Sequence, residues 1–276
     1  MVSANKIVLR TAVALSSPVA ASAFLCGRTG LSKVKVKDAM NKGALWVKRK
    51  NKPMRRLRRA SALLMSRDRI EFYFDERLLS LVPPDAACIA DVGQYSVWFK
   101  PAGLLSQGTR YGDHCSLVRR AELFFRPSRE VFSIHRLDRE VAGLMLLAHT
   151  REAAARLSEL LRQNLIVKKY RVEVLGRIAE KGQSGSIDLP LDGRPSRTCF
   201  KVLSFHPEKG TSSLEVTIST GRLHQIRRHL EMVGCPVMGD PRYGRGNKNQ
   251  EGMKLRAVSL KFRCPFQGSE REFSLR

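Results

Sequence analysis

The chain has 276 residues, 43% of them hydrophobic and 27% charged, enough apolar material for a packed core and too much for a disordered tail. Fifty Lys and Arg against 25 Asp and Glu leave a net charge of +25, an excess that favours a polyanionic partner because each phosphate contact releases counterions. The longest apolar run, Gly143 to Ala148, is far short of a membrane span, and none of the six cysteines (Cys26, Cys88, Cys115, Cys199, Cys235 and Cys264) stands two residues from another, which excludes zinc-knuckle spacing.

The amino terminus loosely mimics a secretion signal from Lys6 to Ala23. Arg10 interrupts its apolar core, and Ser16, Ser17 and Pro18 dilute it. The chain is therefore expected in the cytoplasm, away from membranes, with reduced thiols. Ile7 to Ala14 reads as a short strand and Ala20 to Cys26 as a helix ending near Gly27. Lys33 to Asn41 reads as a helix capped by Ser32 and stopped by Gly43, with either Val34 and Ala39 or Val36 and Met40 buried. A strand follows over Ala44 to Val47.

From Lys42 to Arg59 there are nine cations and no acid, the next acid being Asp68. Solvated faces usually mix signs, so an all-positive run is better read as a phosphate-contacting surface. Its candidate RNA contacts are Lys48, Arg49, Arg55, Arg56, Arg58 and Arg59. Asp68 to Phe74 then alternates as a strand, with Ile70, Phe72 and Phe74 on one face. The stretch Gly30 to Phe74 resembles the small RNA-binding module named after small-subunit ribosomal protein four. Its matching parts are Leu31-Ser32-Lys33, the helix to Lys42-Gly43, the basic turn and Arg67-Asp68-Arg69-Ile70. The usual Asn-Gly after the middle strand is replaced by the Lys48–Lys52 cluster.

Pro83, Pro84 and Asp85 break the chain. The expected division is a basic RNA-binding module over 1–84, with its core at about 30–77, and a second domain over 85–276. In that second domain strands predominate: Ser96 to Phe99, Gly143 to Ala148, Lys169 to Leu175 and Leu214 to Ser219. Helices are expected over Arg151 to Arg162 and from about His224 to Met232. This is an α+β fold with a mixed, largely antiparallel sheet and flanking helices, without the regular alternation of a doubly wound sheet.

Three fragments carry chemistry. His135-Arg136-Leu137-Asp138 directly precedes the apolar strand, so a carboxylate sits at the edge of the core. In Thr220-Gly221-Arg222-Leu223-His224-Gln225-Ile226-Arg227, Arg227 lies on the stripe Leu223, Ile226, Leu230, Val233. A core-facing arginine needs a carboxylate partner, or else snorkels along the helix edge. In Lys168-Lys169-Tyr170, Tyr170 shares a strand face with Val172 and Val174 and points inward. His224 and His229 stand five apart, not four, and are not read as metal ligands; no metal is expected.

Together these fragments resemble the RluA-type pseudouridine synthases, over roughly Tyr95 to Phe273. The likeness includes Lys100-Pro101-Ala102-Gly103-Leu104 and Gly239-Asp240-Pro241-Arg242-Tyr243-Gly244. Val141-Ala142 stands where many members have Thr-Ser before the glycine. The resemblance implies isomerisation of a specific uridine in a structured ribosomal or transfer RNA, by a monomer, without a cofactor. It implies that Asp138 is the essential catalyst, that Arg227 is its salt-bridge partner, and that Tyr170 stacks on the uracil and removes the proton. Arg136 would fill the gap left by the flipped nucleotide. His135, Lys100, Arg222, His224 and Gln225 are further candidate RNA contacts. The rival readings are a non-catalytic RNA-binding or ribosome-assembly factor on the same fold, and a glycosidic hydrolase, which usually needs a second carboxylate.

Overall fold

The computed structural model describes residues 5–218 and 220–275. Residues 1–4 of the expected amino-terminal module, Ser219 of the expected strand and Arg276 lie outside the described residues. The chain divides into two compact units, Met1–Pro83 with Gln107–Phe124, and Pro84–Ser106 with Phe125–Arg276. Sequence reasoning assigns Gln107–Phe124 to the second domain; it clusters instead with the first unit. The reason is electrostatic. Asp113 in this segment takes ion pairs from Arg56 (3.2 Å) and Arg58, and the Arg110 carbonyl accepts from the Trp46 indole N–H at 2.9 Å.

The first unit contains β1 (Lys6–Ala12), β2 (Val19–Ala20), α1 (Ala21–Thr29), α2 (Lys33–Asn41), β3 (Leu45–Lys48), β4 (Arg55–Arg56), β5 (Leu63–Leu64), β6 (Arg69–Asp75), α3 (Glu76–Leu79) and α4 (Leu117–Phe124). An antiparallel sheet runs β1-β6-β3-β4. Ile70, Phe72 and Phe74 of β6 pack with Leu25, Val36, Met40 and Leu45 into one core. On α2, Val36 and Met40 are buried as one spacing expects; of the other pair Ala39 is buried too, but Val34 is 77% exposed. Ser32 caps this helix by accepting from the Lys35 N–H at 3.4 Å. The first helix runs on through Gly27 to Thr29. Its stop is Gly30, in the left-handed region at φ 69°.

The second unit contains β7 (Ala87–Asp91), β8 (Tyr95–Lys100), β9 (Phe132–Ser133), β10 (Ala142–Ala148), α5 (Arg151–Arg162), β11 (Val167–Leu175), β12 (Ser184–Ile187), β13 (Thr198–His206), β14 (Thr211–Ile218), α6 (Gln225–Met232), β15 (Leu255–Arg263) and β16 (Glu270–Ser274). One sheet runs β12-β13-β14-β11-β15-β10-β8-β7, with β9 beside β10 and β16 beside β15. Every pairing is antiparallel except β10 with β15. The fold is α+β, as the order of elements predicts. The nine-residue strands β13 and β15 escape sequence reading because their alternation slips. In β15, Leu255, Ala257 and Ser259 are buried, then Leu260 and Phe262. The slip is a bulge opposite Lys169 and Tyr170, and β13 carries another between Val202 and Ser204.

One cross-strand row organises this sheet: Val216, Tyr170, Ala257, Gly143 and Lys100 are successive partners on β14, β11, β15, β10 and β8. Partners in a row share a face. Gly143 makes the row possible. Its φ is +133°, and a Cβ there would lie 2.3 Å from the Ala257 oxygen and 2.4 Å from the Ala257 nitrogen. Only glycine lets the β15 backbone come so close, and the approach brings the loop before β10 alongside Tyr170.

Candidate active site

Asp138 sits in the loop before β10, and that loop is pinned from below. Ser106 accepts from the Leu137 N–H at 2.9 Å and donates its own hydroxyl to the Leu137 oxygen at 2.6 Å. The Arg139 oxygen accepts from the Gly103 N–H at 2.7 Å and from Lys100 Nζ at 3.3 Å. The Val141 N–H closes the turn on the Asp138 oxygen at 3.1 Å. The Asp138 side chain, held on both sides, remains 25% exposed.

Arg227 projects from α6 and is 3% exposed. It donates to two carboxylates. Nη1 reaches Asp138 Oδ2 at 2.7 Å, while Nε and Nη2 grip Asp240 Oδ2 and Oδ1 at 2.6 and 2.8 Å. Burial works against the guanidinium's charge, but the two carboxylates outweigh it and its pKa is raised. Asp240 is fully buried. Burial alone would raise its pKa, yet Arg227 and the amides of Arg242 and Tyr243, at 2.8 and 3.1 Å, hold it below the usual carboxylate range. Asp240 is the partner that sequence reasoning leaves unnamed. Its signal is the Asp-Pro-Arg-Tyr order, in which a turn-forming carboxylate accepts the next amides.

Tyr170 is 7% exposed. Burial first, and the Asp138 charge second, raise the pKa of its hydroxyl, so it is a phenol at neutral pH. Tyr243 joins the site through a 3.0 Å hydrogen bond with His224 Nδ1, and the Arg227 guanidinium lies 5.0 Å from its ring centroid. His224 is brought in by a left-handed backbone, φ 52°, just before α6, and its Nε2 stands 3.7 Å from Asp138 Oδ2. Burial lowers its pKa, and Arg227 and Arg242 add to this against the opposing charge of Asp138.

Several expected RNA contacts are built into the scaffold instead. Lys100 is fully buried and donates to the oxygens of Pro101 (3.0 Å), Leu104 (2.7 Å) and Arg139 (3.3 Å). Burial pushes its pKa down to about 8. It braces the Asp138 loop and offers nothing to a phosphate. His135 accepts the Leu146 N–H on Nε2 at 3.0 Å, and enclosure of the ring, with the Lys168 charge, pushes its pKa down to about 3. Gln225 is 3% exposed. Its Oε1 accepts from the Thr220 hydroxyl and the Arg222 N–H, and its Nε2 donates to Arg197 and Thr198, which ties down the loop before α6.

Arg56 donates to the Gly43 and Thr109 oxygens and stacks 4.1 Å from the Trp46 ring centroid, and Arg58 donates to Asn41 and Asp113. Both are structural cations of the first unit. Lys48, Arg49, Arg55 and Arg59 are exposed, although Arg49 already bonds the Leu63 oxygen and Arg59 bonds Ser61. Arg222 is half-buried, 3.3 Å from the Pro195 oxygen. Arg136 is exposed, and its guanidinium has no hydrogen bond or ion pair among the described residues. The expected apolar stripe of α6 is also shorter than predicted. Leu223 precedes the helix and is 59% exposed, and Val233 follows it and is 41% exposed.

No group of three metal-ligating side chains occurs among the described residues, all six cysteines are free, and no described helix is long and apolar enough to cross a membrane. Asp240 cannot act as a hydrolase's second carboxylate, because both its oxygens are committed to Arg227 and it is sealed from solvent.

Residues 94–232, half of the chain, match the model of the RNA pseudouridylate synthase family. An "Uncharacterized RNA pseudouridine synthase" of Chloroflexus aurantiacus is 35% identical over 51% of this chain, which spans 48% of that relative's length. The "Dual-specificity RNA pseudouridine synthase RluA" of Vibrio parahaemolyticus is 34% identical over 60% of this chain and 73% of its own. Among solved structures, "Human RNA Pseudouridylate Synthase Domain Containing 1" superposes with a TM-score of 0.59 at 20% identity, covering 71% of this chain and 86% of its own. That likeness is one of fold.

Two outcomes follow from this geometry. Asp240→Asn keeps the shape but leaves Arg227 under-neutralised. Its expected cost is about 3 kcal/mol of unfolding free energy, read by urea denaturation, together with a fall in turnover of at least about tenfold; unchanged turnover would show that Asp240 does not position Arg227. His135 governs the acid side. Below its ordinary value of 6.5 the unfolded chain takes up a proton that the folded ring refuses until about pH 3. Unfolding free energy therefore falls as pH drops through that window. His135→Phe removes this uptake, so the slope of stability against pH between those values becomes shallower than in the wild type.

Proposed function

The chain belongs to the RNA pseudouridylate synthase family, and from that premise we propose that it isomerises a specific uridine to pseudouridine in ribosomal or transfer RNA with Asp138 as the catalytic carboxylate. The observation that carries the reading is the Asp138–Arg227 pair. A carboxylate open to solvent is held at 2.7 Å by a buried guanidinium, on the sheet face that also presents Tyr170.

The reaction breaks the C1′–N1 bond, turns the base over and forms a C1′–C5 bond. C5 then loses a proton and N1 gains one, so the overall change is an isomerisation. Asp138 places its negative charge against the sugar as positive character develops at C1′. Arg227 balances that charge and fixes the rotamer of the carboxylate. Tyr170 stacks on the uracil. Its hydroxyl is held as a phenol by burial and by Asp138. Once Asp138 is engaged with the sugar, the second of these influences is lifted, so the hydroxyl passes its own proton toward N1 as its oxygen takes the proton from C5, and the phenol is restored. A stacked or paired uridine must first be extruded. Arg136, exposed and unpaired, is placed two residues from Asp138 to fill the gap.

The first unit is the RNA-holding module, and its fold is of the type named after small-subunit ribosomal protein four. Support comes from Lys48, Lys50, Lys52 and Arg55, which are exposed and have no side-chain partner among the described residues. These four cations bind phosphates and carry little sequence information. The enzyme works as a monomer in the cytoplasm, where its free thiols stay reduced.

Asp138→Asn is expected to abolish pseudouridine formation while RNA affinity stays within about threefold, measured by mapping pseudouridine in substrate RNA and by titration. Residual conversion at the wild-type rate would remove Asp138 from the mechanism. Replacing Lys48, Lys50, Lys52 and Arg55 together by Gln should weaken binding and reduce the slope of log K against log salt by roughly three units. An unchanged slope would exclude this surface from RNA binding.

A further inference from the structure

Among the described residues three Lys or Arg side chains are buried: Lys100, Arg227 and Lys168. The protein compensates two of them. Lys100 has three carbonyl oxygens and Arg227 has two carboxylates. Lys168 is 8% exposed, and its ammonium has neither a hydrogen bond nor an ion pair among the described residues. The ammonium therefore depends on the little solvent that reaches it, and an anionic ligand oxygen would complete its surroundings.

The position of Lys168 says which ligand. On β11 it stands two residues before Tyr170 and shares its face. It lies in the row Thr198, Ile218, Lys168, Leu260, whose first member is hydrogen-bonded to His229 and Gln225 of α6. Its Nζ is 3.8 Å from where a Cβ on Gly221 would sit, so it lies beneath the loop that leads into α6. Its charge is felt by His135, three residues before Asp138. The three segments that carry the chemistry therefore converge on this ammonium. Burial lowers its pKa.

We infer that Lys168 contacts the substrate and that its ammonium receives an anionic oxygen of the extruded nucleotide. The inference rests on the pseudouridine synthase reading. Two oxygens of that nucleotide have the required chemistry. One is a uracil carbonyl oxygen, on which charge collects as the electron pair of the C1′–N1 bond leaves with the base. The other is a non-bridging oxygen of the adjoining phosphate.

Lys168→Met fills similar space without the charge, and it is compared with the wild type on an RNA that the wild type converts. A fall in kcat of about 100-fold at unchanged KM assigns the base oxygen. A rise in KM of about tenfold at unchanged kcat assigns the phosphate. Both constants unchanged overturns the inference. A wild type that converts no uridine overturns the functional reading instead, so the two failures are distinct. A merely structural lysine is separated by nitrogen-15 NMR of the wild-type side-chain ammonium groups, which does not depend on the variant folding. The Lys168 signal should shift on adding substrate RNA, and a signal that RNA leaves unmoved overturns the inference.

Discussion

Everything at the site depends on how one guanidinium is shared. Arg227 gives Nε and Nη2 to Asp240 and keeps only Nη1 for Asp138. Had Asp138 been its sole partner, a fork of two parallel bonds would have occupied both carboxylate oxygens. Asp240 prevents that. Asp138 is held through Oδ2 alone, and Oδ1 is left for a ligand. A buried ion pair is weak evidence of net stability. Here its product is orientation: a solvent-accessible carboxylate fixed in place with half of its acceptor capacity unspent.

The chain order of the site was legible, and so were most of its supports. Arg151–Arg162 and Lys33–Asn41 occur as helices where their periodicity and caps place them, and α6 begins one residue from its expected start. Arg227 could be recognised as a buried cation in need of a carboxylate because its helical position contradicts its charge. The Asp-Pro-Arg-Tyr order signals a turn at Asp240, but its pairing with Arg227 was not legible, since nothing in the spacing of 13 residues says that the turn returns to the helix. The strands β13 and β15 were hidden for a different reason: a bulge in each breaks the two-residue alternation on which strand reading relies.

The cations already bonded within the protein share one physical cause. Composition reports charge, but it does not report where a charged head finds its acceptors. Lys100 and Arg58 meet main-chain oxygens at the ends of strands and helices, and Arg56 meets those of Gly43 and Thr109. Turns expose carbonyl groups that need donors, and a long cationic side chain supplies several at once. His135 and Gln225 act in the opposite sense, accepting from the Leu146 amide and from the Arg222 amide in the loop before α6. In a chain with a net charge of +25, part of the excess therefore holds loops, and only the unpartnered remainder is free to meet an anionic partner.

The same distinction explains why the sheet matters to the chemistry. Lys100, Gly143 and Tyr170 are far apart in the chain, yet the cross-strand row makes them neighbours, and each contributes something different. Gly143 lets β15 approach, Lys100 braces the loop, and Tyr170 sets its ring on the face where Asp138 stands. Because partner residues in a row share a face, a one-residue slip of β11 would turn Tyr170 away and bring Lys169 or Arg171 in its place. The bulge between Lys169 and Tyr170 performs such a correction on β15, restoring the face on which Lys168 and Tyr170 both lie. The geometry of the site is thus a matter of strand register before it is a matter of any single side chain.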